Sequence, residues 1–323
     1  MQSRTLSGQN PRATSLQVLL AFAAIYLVWG STYLAIRYAI ETIPPLITAG
    51  TRHLIAGSIL LLWCWKRGIL PERRHWIPSI ILGALFFLGG HGTLHWAEKH
   101  VPSGLAALLI STEPIVIVLL GAVIPPKVKP KGSAIIGLVL GTVGVALLMG
   151  ADVFRASSAA MIAGLAVLFS SVSWSVGVVY SRRADLPRDP YLNAAMSMLT
   201  GSVLLLLTGA FTGEFAALHP NNVTLRSGLS LAYLIVFGSL IAYSAYMWLL
   251  ENRSTALVAT HAYVNPVVAV ILGWFFASEE MNLRTLAAGA LIVLAIIFVS
   301  RGTRSETVEE PGTIAAAPQT AEN

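Results

Sequence analysis

The sequence predicts an all-α, polytopic membrane protein with ten transmembrane helices. Composition comes first: 55% of the 323 residues are apolar and only 11% are charged, against roughly a quarter charged in an average soluble domain. So few charges cannot cover the surface of a soluble protein of this length, so the lipid bilayer is part of its solvent. Apolar runs long enough to span come second, and the distribution of Lys and Arg between them third.

A span needs about 20 mostly apolar residues. Such runs lie near 16–36, 45–65, 76–95, 102–124 and 132–150, and again near 160–180, 191–211, 228–250, 256–277 and 284–300. The gaps are short and carry Pro, Gly and charge, leaving no room for a soluble domain. The first run is followed by Arg37 and Glu41 rather than a small-residue cleavage site, so it reads as a span and not a signal peptide. Residues 1–15 and 301–323 read as polar, disordered cytoplasmic tails.

With the N-terminus inside, fifteen of the twenty-one basic residues fall in inside segments, among them Lys66, Arg67, Arg73, Arg74, Lys127, Lys129, Lys131, Arg182, Arg183 and Arg253. Over short loops this bias fixes orientation. It places both termini in the cytoplasm and supports an even span count. The formal charge of +6 therefore reports topology and not a nucleic-acid partner, since the basic residues form no stripe.

The two halves of the chain resemble each other. Placing Glu113-Pro114 on Asn265-Pro266, a shift of 152, brings Trp96 onto Trp248 and Gly121 onto Gly273. A slightly smaller shift brings Trp29 onto Trp174 and Pro45 onto Pro190. The repeats are 16–150 and 160–300, with five spans each. An odd number of spans forces the second copy to enter the membrane the opposite way. Inverted repeats of this kind are built around a central site in many secondary transporters.

Candidate cavity residues follow from depth. Glu113 is the one acidic residue inside an expected span, about eleven residues in, so near mid-membrane at ~1.5 Å per residue. An ionisable group there is costly to insert and is a functional candidate. It serves either proton coupling or a structural pair with Arg52. Pro114 and Pro266 each remove a backbone donor and can kink their helices. Trp29, Ser31, Thr32 and Tyr33, with Trp174 and Tyr180 on the equivalent helix, offer rings and hydroxyls for a flat or cationic solute. Tyr243, Tyr246, His261, Tyr263 and Asn265 cluster on the eighth and ninth spans. Trp63, Trp65, Trp76, Trp96, Trp248 and Trp274 lie nearer span ends and fit an interfacial belt. His91 and His95 share a face at i, i+4, but no third ligand accompanies them, so no metal site is expected. Gly137 and Gly141 form a GxxxG pair that suits either internal packing or a homodimer contact.

The stretch from Leu27 to Arg37 (LVWGSTYLAIR) resembles the opening span of the EamA-type transporters of the drug/metabolite transporter superfamily. Among these it is similar to the YedA-like bacterial inner-membrane exporters. So are Pro44-Pro45 followed by Arg52, Val101-Pro102-Ser103-Gly104, and Ala262–Val270 with Gly273 and Glu279. The resemblance covers roughly residues 16–300. It implies ten helices in two inverted EamA repeats around a central cavity, and outward movement of small metabolites, amino acids or drugs, with proton coupling often proposed. The matching position of Glu113 in the second repeat is the neutral Asn265, which weakens a proton role for that site.

Other function classes fit less well. Cys64 is the only cysteine, which excludes an internal disulfide and a cysteine-based metal centre. No phosphate-binding loop stands in its strand–turn–helix setting, and no cofactor is expected. An integral-membrane enzyme would need a catalytic constellation near one face, and the inside loops offer mostly Lys, Arg and Pro. A sensor would carry a signalling domain that neither tail could form. The expected partners are the lipid bilayer, a small-molecule solute and protons.

Overall fold

A backbone in lipid must satisfy its own hydrogen bonds, and the apolar runs do so as helices. The structure is a computed structural model that describes residues 14–101, 103–124, 130–149, 158–277 and 283–303. Among the described residues there are helices and turns and no strand. Residues 1–13 and 304–323 of the expected tails, Lys127, Lys129, Pro102 and Glu279 lie outside them, whereas Ser15 and residues 301–303 are helical rather than tail.

Six helices are long and apolar enough to cross a membrane. They are α1 (Ser15–Ala39), α2 (Pro45–Lys66), α3 (Arg73–Ala97), α7 (Ser158–Ser181), α8 (Pro190–Phe211) and α9 (Leu225–Asn252). Between and after them come α4 (Ser103–Ile110), α5 (Glu113–Val123), α6 (Gly132–Met149), α10 (His261–Ala277) and α11 (Leu283–Thr303). Two runs read as continuous from hydropathy are broken. The run at 102–124 divides at 111–112 into α4 and α5, and the run at 256–277 divides after a short turn, Thr255–Val258, into α10. Pro114 stands at the first turn of α5, where its missing N–H costs least, so of these two prolines Pro266 is the one inside a helix.

Side chains at the helix starts satisfy backbone N–H groups that the helices leave free. Thr14 and Gln17 close a capping box on α1. Asp189 Oδ1 accepts from the N–H of Tyr191 and Leu192 at 3.0 and 2.9 Å, capping α8 behind Pro190. Its counterpart α2 begins with Pro44-Pro45 and has no such side chain. Instead Glu214 Oε2, from the other half of the chain, accepts from the N–H of Leu46 and Ile47 at 2.9 and 3.1 Å.

Three helices widen to π-type turns: Ala24–Val28 in α1, Ala84–Gly92 in α3 and Leu234–Tyr243 in α9. The last two occupy matching places under the 152-residue shift. Partners across the helix contacts hold carbonyls of these wide turns. Ser173 Oγ donates to Leu85 O at 2.7 Å, Ser170 Oγ to Gly90 O at 2.8 Å, and Trp29 Nε1 to Gly238 O at 3.1 Å.

Helix packing follows the repeat. The most extensive contacts are α2 with α8 and α6 with α11, each joining equivalent helices of the two halves. α3 packs on α7 as α9 packs on α1, and α4 and α5 pack on α7 as α10 packs on α1. The result is two three-part groups, one of α1, α9 and α10, the other of α7, α3 and α4–α5, facing each other. Each group is tied at one end by an ion pair on equivalent arginines. Arg74 Nη1 stands 3.4 Å from Asp185 on one face of the bundle, and Arg226 pairs with Glu41 on the opposite face.

Gly137 and Gly141 turn inward. A Cβ at Gly137 would lie 2.7 Å from Val299 and 2.8 Å from the Ala295 carbonyl of α11, and a Cβ at Gly141 would lie 2.8 Å from the Tyr263 ring. The pair serves packing between α6, α11 and α10. We expect Gly137→Val to lower stability by roughly 1–3 kcal/mol through overpacking, read as a lower thermal midpoint. Light scattering of the detergent-solubilised variant should show an unchanged oligomeric state.

Candidate functional site

A cavity of about 60 Å³ lies where the two groups meet. α1 contributes Trp29, Thr32, Tyr33 and Ile36, and α2 contributes Arg52. His91 and Leu94 come from α3, Ile110 and Glu113 from the broken α4–α5, Ser170 and Trp174 from α7, and His261 and Asn265 from α10. Pockets that take drug-sized ligands measure about 300–1,000 Å³, so this cavity is smaller than such a site.

Its polar wall is built around Arg52, which is 1% exposed. Arg52 Nε donates to Ser239 Oγ at 3.1 Å. Gly238 leaves the space for the guanidinium, since a Cβ there would lie 2.8 Å from Nη2. His53 Nε2 and His91 Nδ1 are 2.9 Å apart, and His95 Nδ1 meets the His91 carbonyl at 2.6 Å. The rings of His53, His91 and Trp174 form a stack with successive centroids 5.0 Å apart. Gly90 admits it, since a Cβ there would meet the Trp174 ring at 3.1 Å.

Across the cavity stands a second polar group. Glu113 and His261 are both buried, with Glu113 Oε1 4.0 Å from His261 Nε2. Glu113 Oε1, both His261 ring nitrogens and Asn265 Oδ1 have no hydrogen-bond partner. Buried polar groups are normally paired, and unpaired ones call for an explanation. Groups facing one cavity find it in water or a solute.

Aromatic rings close one end. Trp29 meets Trp174 edge-on at 5.8 Å, Tyr246 at 4.9 Å and His261 at 4.8 Å. Trp174 Nε1 donates to the Tyr246 hydroxyl at 2.9 Å. Phe86 packs 4.4 Å from Trp174 and also edge-on to Tyr243. Tyr243 meets the Ser197 hydroxyl at 3.0 Å. Further out on this side, Arg182 donates to the Leu250 carbonyl. The Trp174–Tyr246, Phe86–Tyr243 and Arg182–Leu250 contacts all join one three-part group to the other, on the face that carries Arg74 and Asp185.

Of the residues singled out from sequence, Trp29, Thr32, Tyr33, Arg52, Glu113, Trp174, His261 and Asn265 line the cavity. Tyr243 and Tyr246 lie beneath it in the aromatic floor. The other three point elsewhere. Ser31 donates to Val28 O at 2.6 Å and meets the Tyr233 hydroxyl. Tyr180 packs at the edge of the core. Tyr263 lies against Gly141, its hydroxyl 3.4 Å from Leu138 O. Arg52 and Glu113 share the cavity but form no ion pair with each other; among the described residues Arg52 has no carboxylate within 4.0 Å. Hydropathy reading missed His53, Ser170 and Ser239. His91 was visible as half of an i, i+4 pair. No three His, Cys, Asp or Glu side chains among the described residues group as a metal site. Trp63, Trp65, Trp76 and Trp96 are exposed at the helix ends, whereas Trp29 and Trp174 are buried.

The EamA-like transporter family model matches residues 16–150 and again 161–301. The chain belongs to the EamA-like transporter family. It is 35% identical over 284 residues to the uncharacterized inner membrane transporter YedA of Escherichia coli K12, covering 87% of this chain and 90% of that one. It is 26% identical to the uncharacterized transporter YoaV of Bacillus subtilis, covering 90% of this chain and 98% of that one. It is 27% identical to Protein PecM of Dickeya dadantii, covering 84% and 88%. A solved structure titled "Crystal structure of protein" matches with a TM-score of 0.74 at 24% identity, over 92% of this chain and all of that one. At that identity the likeness speaks to the fold alone. As an EamA-family chain with several apolar helices, the protein is a multi-pass membrane protein.

Tyr246→Phe removes the acceptor of a buried indole N–H. We expect a loss of about 1–3 kcal/mol, read as a lower denaturation midpoint than that of a Tyr180→Phe control.

Proposed function

We propose that this protein is a secondary transporter that carries a small organic solute across the bacterial inner membrane by alternating access. In this reading the helices make ten spans, five per inverted repeat, with both termini in the cytoplasm. The observation that carries it is the meeting of two equivalent helix groups at a cavity where Glu113 Oε1, both His261 nitrogens and Asn265 Oδ1 have no hydrogen-bond partner and Arg52 lines the wall. Stability alone gives no reason to keep such groups unpaired in a membrane interior, whereas a transported solute does.

The orientation read from the loops puts the aromatic floor and Arg182 on the cytoplasmic side. The conformation is then closed inward. Opening would separate Trp174 from Tyr246 and Arg182 from Leu250. Trp29, Thr32, Tyr33, Arg52, Trp174, His261 and Asn265 would contact the solute, with metabolites, amino acids or drugs as candidate classes and export as the direction. Glu113 faces His261 and suits a proton site that a cationic group on the solute would compete for.

The test has two stages. A thermal-shift screen against metabolites and drugs finds ligands, because a ligand stabilises the state that binds it. Flux of each hit is then followed in proteoliposomes. Hits with no flux under any imposed gradient would sink the transport reading. Glu113→Gln should abolish acceleration by a pH gradient while leaving solute exchange at equal pH. In a Cys64→Ser background, a short bis-maleimide link between Arg182→Cys and Leu250→Cys should stop flux. Flux that continues through the linked protein would exclude opening at that end.

A further inference from the structure

We propose that Glu98 is a proton-binding site linked to Arg52, such that neutralising Arg52 favours proton uptake at Glu98. Glu98 stands one residue beyond the end of α3, its backbone N–H on the Leu94 carbonyl at 3.0 Å. Its side chain turns inward. The residue is 5% exposed, and neither carboxylate oxygen has a hydrogen-bond partner. No ion pair within 4.0 Å involves it among the described residues. It does not line the cavity, and Glu113 does not substitute for it.

Desolvation favours the neutral acid. Two arginines favour the anion, Arg37 on α1 and Arg52 on α2, both within electrostatic reach. Other charged and titratable groups lie nearby, and Lys99 and His100 follow it directly in the chain. Tyr33 of α1 feels both Glu98 and Glu113. His53, His91 and His95 gather round Arg52, and Lys99 reaches toward Glu214. α4 has no ionisable residue, and α7 has none before Tyr180. Of these two arginines Arg52 is the buried one, and it lines the cavity. A solute anion seated on Arg52 would cancel its influence, so proton and anion would bind cooperatively, by reciprocal linkage.

The site can be tested without knowing the solute. The protein in proteoliposomes is treated with dicyclohexylcarbodiimide, which adds to protonated buried carboxylic acids, over a series of pH values. Peptide mass spectrometry then locates the adducts. Glu98 should be modified, with the yield falling as pH rises, and Glu98→Gln should lose that adduct. Arg52→Gln should move the fall to higher pH by at least about one unit, the size of a nearby opposite charge. Arg37→Gln, at the surface, should move it the same way and serves if Arg52→Gln does not fold. Absence of a Glu98 adduct at every pH overturns the proposal, as does a profile unmoved in the folded arginine variants. Although it takes the Arg52 cavity wall from the transport reading, labelling needs no flux, so each can fail separately.

Discussion

A guanidinium held out of water at the depth of the lipid is the constraint on which the rest of the site depends. Arg52 cannot be neutralised by losing a proton, and an uncompensated buried charge costs several kcal/mol. Much of the local structure answers that cost. Ser239 takes one N–H, Gly238 leaves room for the fork, and the three histidines provide a polar shell without opposing charge. The wide turns belong to the same arrangement, because they bring Ser239 of α9 and His91 of α3 to face α2.

The all-helical fold was legible in the sequence because lipid imposes a simple rule: apolar runs satisfy their own backbone hydrogen bonds as helices. The repeat was legible because Trp and Pro are rare enough for their spacing to stand out, as with Trp29 and Trp174. The breaks at 111–112 and 259–260 were not, since hydropathy averages over a window longer than the interruption. Nor was the direction of individual side chains. Tyr263 and Asn265 are two residues apart, so they face different sides of α10, one toward Gly141 and the other into the cavity. Glu98 escaped notice because it sits in a gap between apolar runs, where a carboxylate is ordinarily solvated. Only the packing of α1, α2 and α7 around the end of α3 removes its water.

The site's chemistry is divided between two ends. Arg52 and its histidines occupy one wall, while Glu113, His261 and Asn265 occupy the other, with indole rings between them. This division sets a cation on one wall and groups without hydrogen-bond partners on the other.

The repeat also equates Tyr246 with Leu94 and Trp174 with Trp29. The two equivalent indoles are held differently: Trp174 Nε1 donates to the Tyr246 hydroxyl, whereas Trp29 Nε1 donates to the Gly238 carbonyl. The partner of Trp174 is a side chain that one substitution at position 246 can remove, while the partner of Trp29 is a backbone carbonyl that no substitution removes.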